Sequence, residues 1–151
     1  YGEKFNISKD KEHYVPIGKA RKIIEGNDVT IIAYSISVKF ALDAAEYLSE
    51  NDGVSCEVID LRTLSPLDID TILISLKKTN RVVIVEEGWS ICSIASEISA
   101  LIMEKAFDDL DAPVVRVTGK NVPMPYAANL EKLALPSVND IVKAIKAVCY
   151  I

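Results

Sequence analysis

Short apolar runs along the chain alternate with longer segments in which apolar residues recur every three or four positions. A short apolar run bounded by turn residues is typical of a buried strand, and the longer spacing indicates a helix with one buried face. Strands are therefore predicted at residues 29–35, 53–61, 81–85 and 114–117, with a short edge strand within residues 15–26. The helix faces predicted to be buried comprise Val38, Ala41, Leu42, Ala45 and Leu48; Ile69, Ile72, Leu73 and Leu76; Ile91, Ile94, Ala95, Ile98 and Ile102; and Ile141, Ile145, Val148 and Cys149.

Capping residues mark where two of these helices begin. Ser65, Pro66 and Asp68 predict an N-cap, a first-turn proline and an early acidic residue at the start of the second helix. Ser137 and Asp140 predict the start of the last helix in the same way. The boundaries therefore agree with the apolar spacing.

Alternating strands and helices predict an α/β fold. Such a pattern is typical of a mostly parallel sheet, here five-stranded, with helices on both faces in a three-layer sandwich. The length of 151 residues fits one domain, which we place at residues 15–151. The polar residues 1–14 are predicted to be a linker or N-terminal extension.

Charge and cysteine content narrow the partner classes. The formal net charge is −5, and the basic residues form pairs instead of a long stripe, which disfavours nucleic acid as a partner. The apolar runs are much shorter than the roughly 20 residues needed to cross a bilayer, so no membrane span is expected. Cys56, Cys92 and Cys149 are predicted to be reduced core cysteines, not metal ligands or disulfide partners.

Motifs for nucleotide binding or catalysis are incomplete. No glycine-rich fingerprint follows the first long strand, and Gly119-Lys120 lacks the upstream glycine of a P-loop. Glu86 and Glu87 end a predicted strand, where an α/β protein often places ligand groups. They motivate one alternative, a stand-alone small-ligand-binding domain of flavodoxin or response-regulator type. The interpretation we favour is that one glutamate is solvated and the other anchors the turn, and no catalytic, cofactor-binding or metal-binding residue is predicted.

Four segments carry a resemblance to a known family. VPIGKA, CEVIDLRTLSPLD, KKTNRVVIVEEGW and above all LDAPVVRVTGKNVPMPYAANLE resemble the beta subunits of the pyruvate dehydrogenase decarboxylating component. The resemblance runs from about residue 14 to the last residue. It implies a transketolase C-terminal fold.

The resemblance also implies which parts of the enzyme lie elsewhere. In that family, thiamin diphosphate and Mg²⁺ bind between the alpha subunit and a pyrimidine-binding domain of the beta subunit. The fragment alone is therefore expected to bind no cofactor and to be inactive, although the whole enzyme is an oxidoreductase. Its implied partners are the alpha subunit, a second beta subunit, and the peripheral subunit-binding domain of the dihydrolipoyl acetyltransferase.

The resemblance assigns docking residues one by one. The aspartate of the LDAP motif matches Asp111, and the family's terminal carboxylate matches Ile151; both are expected to pair with basic side chains of the acetyltransferase. Asp108 and Asp109 are close enough in sequence to strengthen the same acidic patch. For Asp111 the other interpretation, a turn-making aspartate before a proline, is compatible with docking. Glu87 and Trp89 are expected at a subunit interface.

Two questions stay open at this point. A related beta subunit acting on branched-chain or acetoin-type substrates would differ only in substrate, which other parts of the enzyme choose. A bacterial cytoplasmic location is expected, or the mitochondrial matrix for a eukaryotic protein. Residues 35–39 and 90–93 depart from the family pattern, so loop contacts cannot be carried over in detail.

Overall fold

A computed structural model describes residues 14–151 and has the predicted α/β architecture. The predicted linker, residues 1–14, lies almost wholly outside the described residues, and its boundary stays a prediction. The strands are β1 Arg21–Ile24, β2 Val29–Ala33, β3 Cys56–Asp60, β4 Val82–Trp89 and β5 Val115–Gly119. The helices are α1 Ser37–Asp52, α2 Ile69–Thr79, α3 Ile94–Ala106, α4 Ala128–Ala134 and α5 Val138–Cys149, with a 3-10 turn at Phe107–Asp109.

The five strands form one sheet in the order β1-β3-β2-β4-β5. The predicted edge strand β1 runs antiparallel to β3, and the other pairs are parallel. From β2 the chain continues to β3 on one side of the sheet and then crosses to β4 on the other side. The carboxyl ends of the neighbouring strands β2 and β4 therefore form a topological switch point. All four parallel strands therefore have their amino ends at one pole of the domain and their carboxyl ends at the other.

Alternation along the strands divides the core between the two faces of the sheet. In β2, Ile31 and Ala33 pack in the cluster that includes helices α1 and α5, whereas Ile32 packs in the cluster of α2 and α3. This follows because successive strand side chains point to opposite faces. The predicted three-layer sandwich is thus confirmed.

Two predicted helix starts were wrong. Helix α2 begins after Asp68, not at Ser65, because the Asp68 carboxylate accepts the Thr71 amide at 3.4 Å and is the N-cap. Helix α3 begins at Ile94 with Ser93 as its N-cap. Ile91, predicted on the buried face of that helix, is exposed in the turn that precedes it.

The cysteines occupy three different environments. Cys56 is buried in the core as predicted, and burial raises the pKa of its thiol to about 12. Cys149 is half-buried, and burial raises the pKa of its thiol too. The prediction was wrong for Cys92, which is exposed because its turn ends before α3 begins. Within residues 14–151, no helix is long and apolar enough to cross a membrane.

Candidate partner-docking surface

Asp111 lies at the amino pole, on the loop between the 3-10 turn and β5. Asn80, the left-handed C-cap of α2, fixes this loop from both sides. Its side-chain amide donates to the Asp109 carbonyl at 2.7 Å, and its own carbonyl accepts the Asp111 amide at 2.8 Å. The backbone of Asp111 is therefore held by hydrogen bonds, and its side chain is free to face outward.

The Asp111 carboxylate has one cationic neighbour and remains open to solvent. Arg81 Nη2 lies 3.5 Å from Asp111 Oδ2, and Arg81 Nη1 donates to the Asp28 carbonyl at 3.4 Å. The Asp111 side chain is nevertheless 58% exposed. A solvated ion pair of this kind contributes at most about 1 kcal/mol. Asp111 can therefore accept hydrogen bonds from a second cation.

The end of α5 reaches the same place from the other side. The Tyr150 hydroxyl donates to the Asp111 carbonyl at 3.2 Å, and the Ile151 amide donates to the Lys146 carbonyl. Ile151 is exposed. The structure thus brings the neighbourhoods of Asp111 and Ile151 together although they are far apart in sequence.

The two accessory aspartates lie in the 3-10 turn just before Asp111. Asp108 is exposed and Asp109 is half-buried. The four sequence-predicted docking residues therefore share the amino pole of the domain. Whether a partner binds them stays a prediction.

An apolar groove that the sequence reasoning missed borders Asp111. It has a volume of about 490 Å³ and lies between α3 and the segment that leads into β5. Met103 and Phe107 had no place in the predicted buried stripe of α3. Their spacing of four residues, outside that stripe, is the signal that could have shown a second apolar face. The groove is lined by Ser99, Met103, Phe107, Leu110, Asp111, Ala112, Pro113 and Val114.

The two glutamates at the carboxyl end of β4 behave differently. Glu86 is buried, and its carboxylate accepts the Tyr34 hydroxyl at 2.9 Å and the Ala95 amide at 3.2 Å. Burial and the Glu86 carboxylate raise the pKa of Tyr34 to about 12. Glu86 therefore anchors the first turn of α3, and Glu87 is exposed to solvent, as the favoured interpretation predicted.

Trp89 ends β4 at the same pole as Glu87 and is half exposed. Both residues are accessible, which a subunit interface requires, but their contact with another chain stays a prediction. Among residues 14–151 there is no group of three His, Cys, Asp or Glu side chains that could hold a metal ion. His13 lies outside the described residues.

Comparison with known proteins gives the following relatives. Residues 18–141 match the model of the family described as transketolase, C-terminal domain. The chain is 58% identical over its whole length to the pyruvate dehydrogenase E1 component subunit beta of Rickettsia bellii, of which it covers 46%. It is 54% identical to the mitochondrial subunit of that name from Dictyostelium discoideum, matching 98% of this chain and 42% of that protein.

Solved structures agree with the fold. A split gene transketolase, described as an inactive beta4 tetramer, superposes with a TM-score of 0.79 at 28% identity. That match covers 93% of this chain and 44% of the transketolase chain. The chain spans about half the length of the curated relatives it matches.

Proposed function

The chain belongs to the transketolase C-terminal domain family, and we propose that it is the assembly and partner-docking domain of a pyruvate dehydrogenase beta subunit. The observation that carries this proposal is the identity of 50–58% to such subunits from Rickettsia and Rhizobium species across 99% or more of the chain. The complete enzyme would decarboxylate pyruvate and reductively acetylate lipoyl groups. This domain would contribute contacts with other subunits, and it would supply no catalytic residue.

Thiamin diphosphate and Mg²⁺ would bind outside the described part of the domain. Mg²⁺ on a diphosphate is usually held by one or two protein carboxylates together with phosphate oxygens and water. The buried carboxylate at the switch point, Glu86, is already engaged by Tyr34 and Ala95. Among residues 14–151 no group of three His, Cys, Asp or Glu side chains could hold the metal ion, so these residues do not fit that cofactor and no reaction step is assigned to them.

The same geometry disfavours the second candidate function. A stand-alone small-ligand domain would use the switch point between β2 and β4. Glu86 occupies the amino end of α3 there, at the place where a phosphate would otherwise bind. A related beta subunit acting on branched-chain or acetoin-type substrates differs in substrate alone, and the identity to pyruvate dehydrogenase subunits favours pyruvate.

The docking partner we propose is the peripheral subunit-binding domain of the dihydrolipoyl acetyltransferase. Asp111 would accept charge-assisted hydrogen bonds from its basic side chains, Ile151 would contact the same domain, and Asp108 and Asp109 would add to the attraction. The exposure of Asp111 and the contact from Tyr150 support this pairing.

At the opposite pole, Glu87 and Trp89 would contact the alpha subunit or a second beta subunit. One similar protein is from the bacterium Rickettsia bellii, and another is named as a mitochondrial subunit. The proposed location is therefore the bacterial cytoplasm or the mitochondrial matrix.

The decisive experiment is titration of the assembled enzyme with the subunit-binding domain. Asp111→Asn should raise Kd about tenfold and reduce its dependence on salt, because one charged pair is lost. Deleting Ile151 should weaken binding as well. Asp43→Asn, which removes an exposed carboxylate from α1, is the matched control and should leave Kd unchanged. Wild-type affinity in both the Asp111 and the Ile151 variants would refute the site.

A further inference from the structure

The groove beside Asp111 is apolar, whereas the neighbouring patch of Asp108, Asp109 and Asp111 is acidic. We infer that the groove receives a large apolar side chain of the same basic partner domain. Docking would then have two parts, a charged contact at Asp111 and an apolar contact on α3. This inference rests on the proposed docking function.

Two large apolar residues of the groove are exposed to solvent. Met103 on α3 is 49% exposed, and Phe107, in the 3-10 turn that follows α3, is 60% exposed. Ile98 and Ile102 of the same helix are fully buried. Two large apolar side chains that are exposed in one groove lose the stabilisation that burial would give. Methionine and aromatic side chains are also the apolar types enriched at protein interfaces.

The groove is already formed in the free domain and is large enough for a side chain. Leu110, Pro113 and Val114 line the groove together with Met103 and Phe107. The hydrogen bonds of Asn80 to Asp109 and Asp111 hold the backbone on either side of Leu110, so this part of the lining is fixed by the fold itself. A preformed cavity accepts a side chain at little cost in ordering. The volume of about 490 Å³ is ample for one leucine-sized or methionine-sized group.

Charge around the groove identifies the occupant. Asp111 lines it directly, and Asp108 and Asp109 lie in the turn beside Phe107. Between residues 104 and 111 there are four carboxylates and one lysine, Lys105. Such a rim attracts a basic surface and repels an acidic one. A domain that places a cation on Asp111 therefore presents its neighbouring side chains to the groove, and an apolar one among them is the complementary choice.

The test uses the assembled enzyme and the subunit-binding domain of the acetyltransferase. Phe107→Ala should raise Kd about tenfold, and Met103→Ala should do so to a smaller extent. Both variants should keep the wild-type salt dependence and make the heat capacity of binding less negative, because apolar contact is lost. Phe107→Leu should retain most of the affinity. Tyr47→Ala, which truncates a 49% exposed aromatic on α1, is the control and should leave Kd unchanged.

Three outcomes separate this inference from the docking function. If Asp111→Asn weakens binding and both groove variants bind normally, the groove inference is overturned and the docking function stands. If the wild-type enzyme does not bind the domain, both fail. If Phe107→Ala instead reduces the assembled fraction in sedimentation and leaves Kd unchanged, the groove is covered within the enzyme, and the inference is again wrong.

Discussion

At the scale of single residues, one buried carboxylate ties the edge of the sheet to a helix. Glu57 on β3 is fully buried, pairs with the Lys78 ammonium and accepts the Gly26 amide at 3.3 Å. Burial alone would raise the pKa of Glu57, but Lys78 and the other hydrogen-bond donors outweigh burial and lower it. Glu57 is therefore charged in the folded protein and holds β3, α2 and the turn after β1 together.

Gly26 is the residue that permits this arrangement. A Cβ there would overlap the backbone of Cys56 and Glu57. Gly26→Ala should therefore lower the free energy of unfolding by roughly 2–3 kcal/mol, since the strand must move. Urea denaturation measures the change. Gly53→Ala is the control: its Cβ would meet open space, so only the left-handed backbone costs about 1 kcal/mol. Equal costs at the two sites would contradict the overlap argument.

Sequence reasoning identified residues well where the signal was local. It predicted that one of Glu86 and Glu87 is solvated and that the other anchors the turn, without saying which, because a strand end offers one inward and one outward position. It could not find the contact of Glu57 with Lys78, because no pattern links a strand residue to a helix residue 21 positions away. The apolar groove was missed because Met103 and Phe107 are not part of the buried stripe of α3.

At the scale of elements, α5 shows how a short motif fixes a helix start. The Ser137 hydroxyl accepts the Asp140 amide, and the Asp140 carboxylate in turn accepts the Ser137 amide at 3.0 Å. The Ser137 hydroxyl is the main reason that the pKa of Asp140 lies below its usual range. The sequence predicted that Ser137 and Asp140 start this helix because both partners lie within one turn.

Removing the cap should weaken α5 measurably. Ser137→Ala leaves the Asp140 amide without its side-chain acceptor and should cost about 1 kcal/mol of unfolding free energy. Ser99→Ala is a matched control within α3, where the hydroxyl donates to the Ala95 carbonyl that already belongs to the helix. Thermal unfolding should show a lower midpoint for Ser137→Ala alone. Similar midpoints for the two variants would mean that the capping box contributes nothing.

The start of α2 was predicted three residues too early because its cap depends on a distant partner. Asp68 accepts the Ala20 amide at 3.0 Å, a contact made 48 residues away. The local pattern favoured Ser65-Pro66 as the start of α2. In the folded protein, however, the buried carboxylate of Asp68 accepts the Thr71 amide in the first turn of the helix. Element type and order were thus predictable, and the boundary was decided by tertiary structure.

At the scale of the whole molecule, three carboxylates share one response to acid. The pKa values of Glu57, Asp68 and Asp140 are all lowered in the folded protein. For Asp68, burial would raise the pKa, but hydrogen bonds from Ala20 and Thr71 outweigh it. Each group therefore stabilises the fold above its unfolded pKa of about 4, and this stabilisation is lost as the pH falls through the folded pKa.

Stability should accordingly fall below about pH 4. The urea midpoint of the wild-type protein is expected to decrease between about pH 5 and pH 3, and Asp68→Asn should make that decrease shallower. Asp43→Asn on the exposed face of α1 serves as the control and should follow the wild-type profile. An Asp68→Asn profile as steep as the wild-type profile would refute the assignment.

Strand direction has a final consequence for how the domain is used. Strand β4 alone has eight residues, which at about 3.3 Å per residue separates Asn80 and Asp111 at one end from Trp89 at the other by roughly 25 Å. Fixed charges are screened over about 8 Å at physiological ionic strength. Exposed charges at one end of the domain therefore interact only weakly with those at the other end. Under the docking function proposed above, a partner that binds and leaves at Asp111 would leave the charges around Trp89 unaffected.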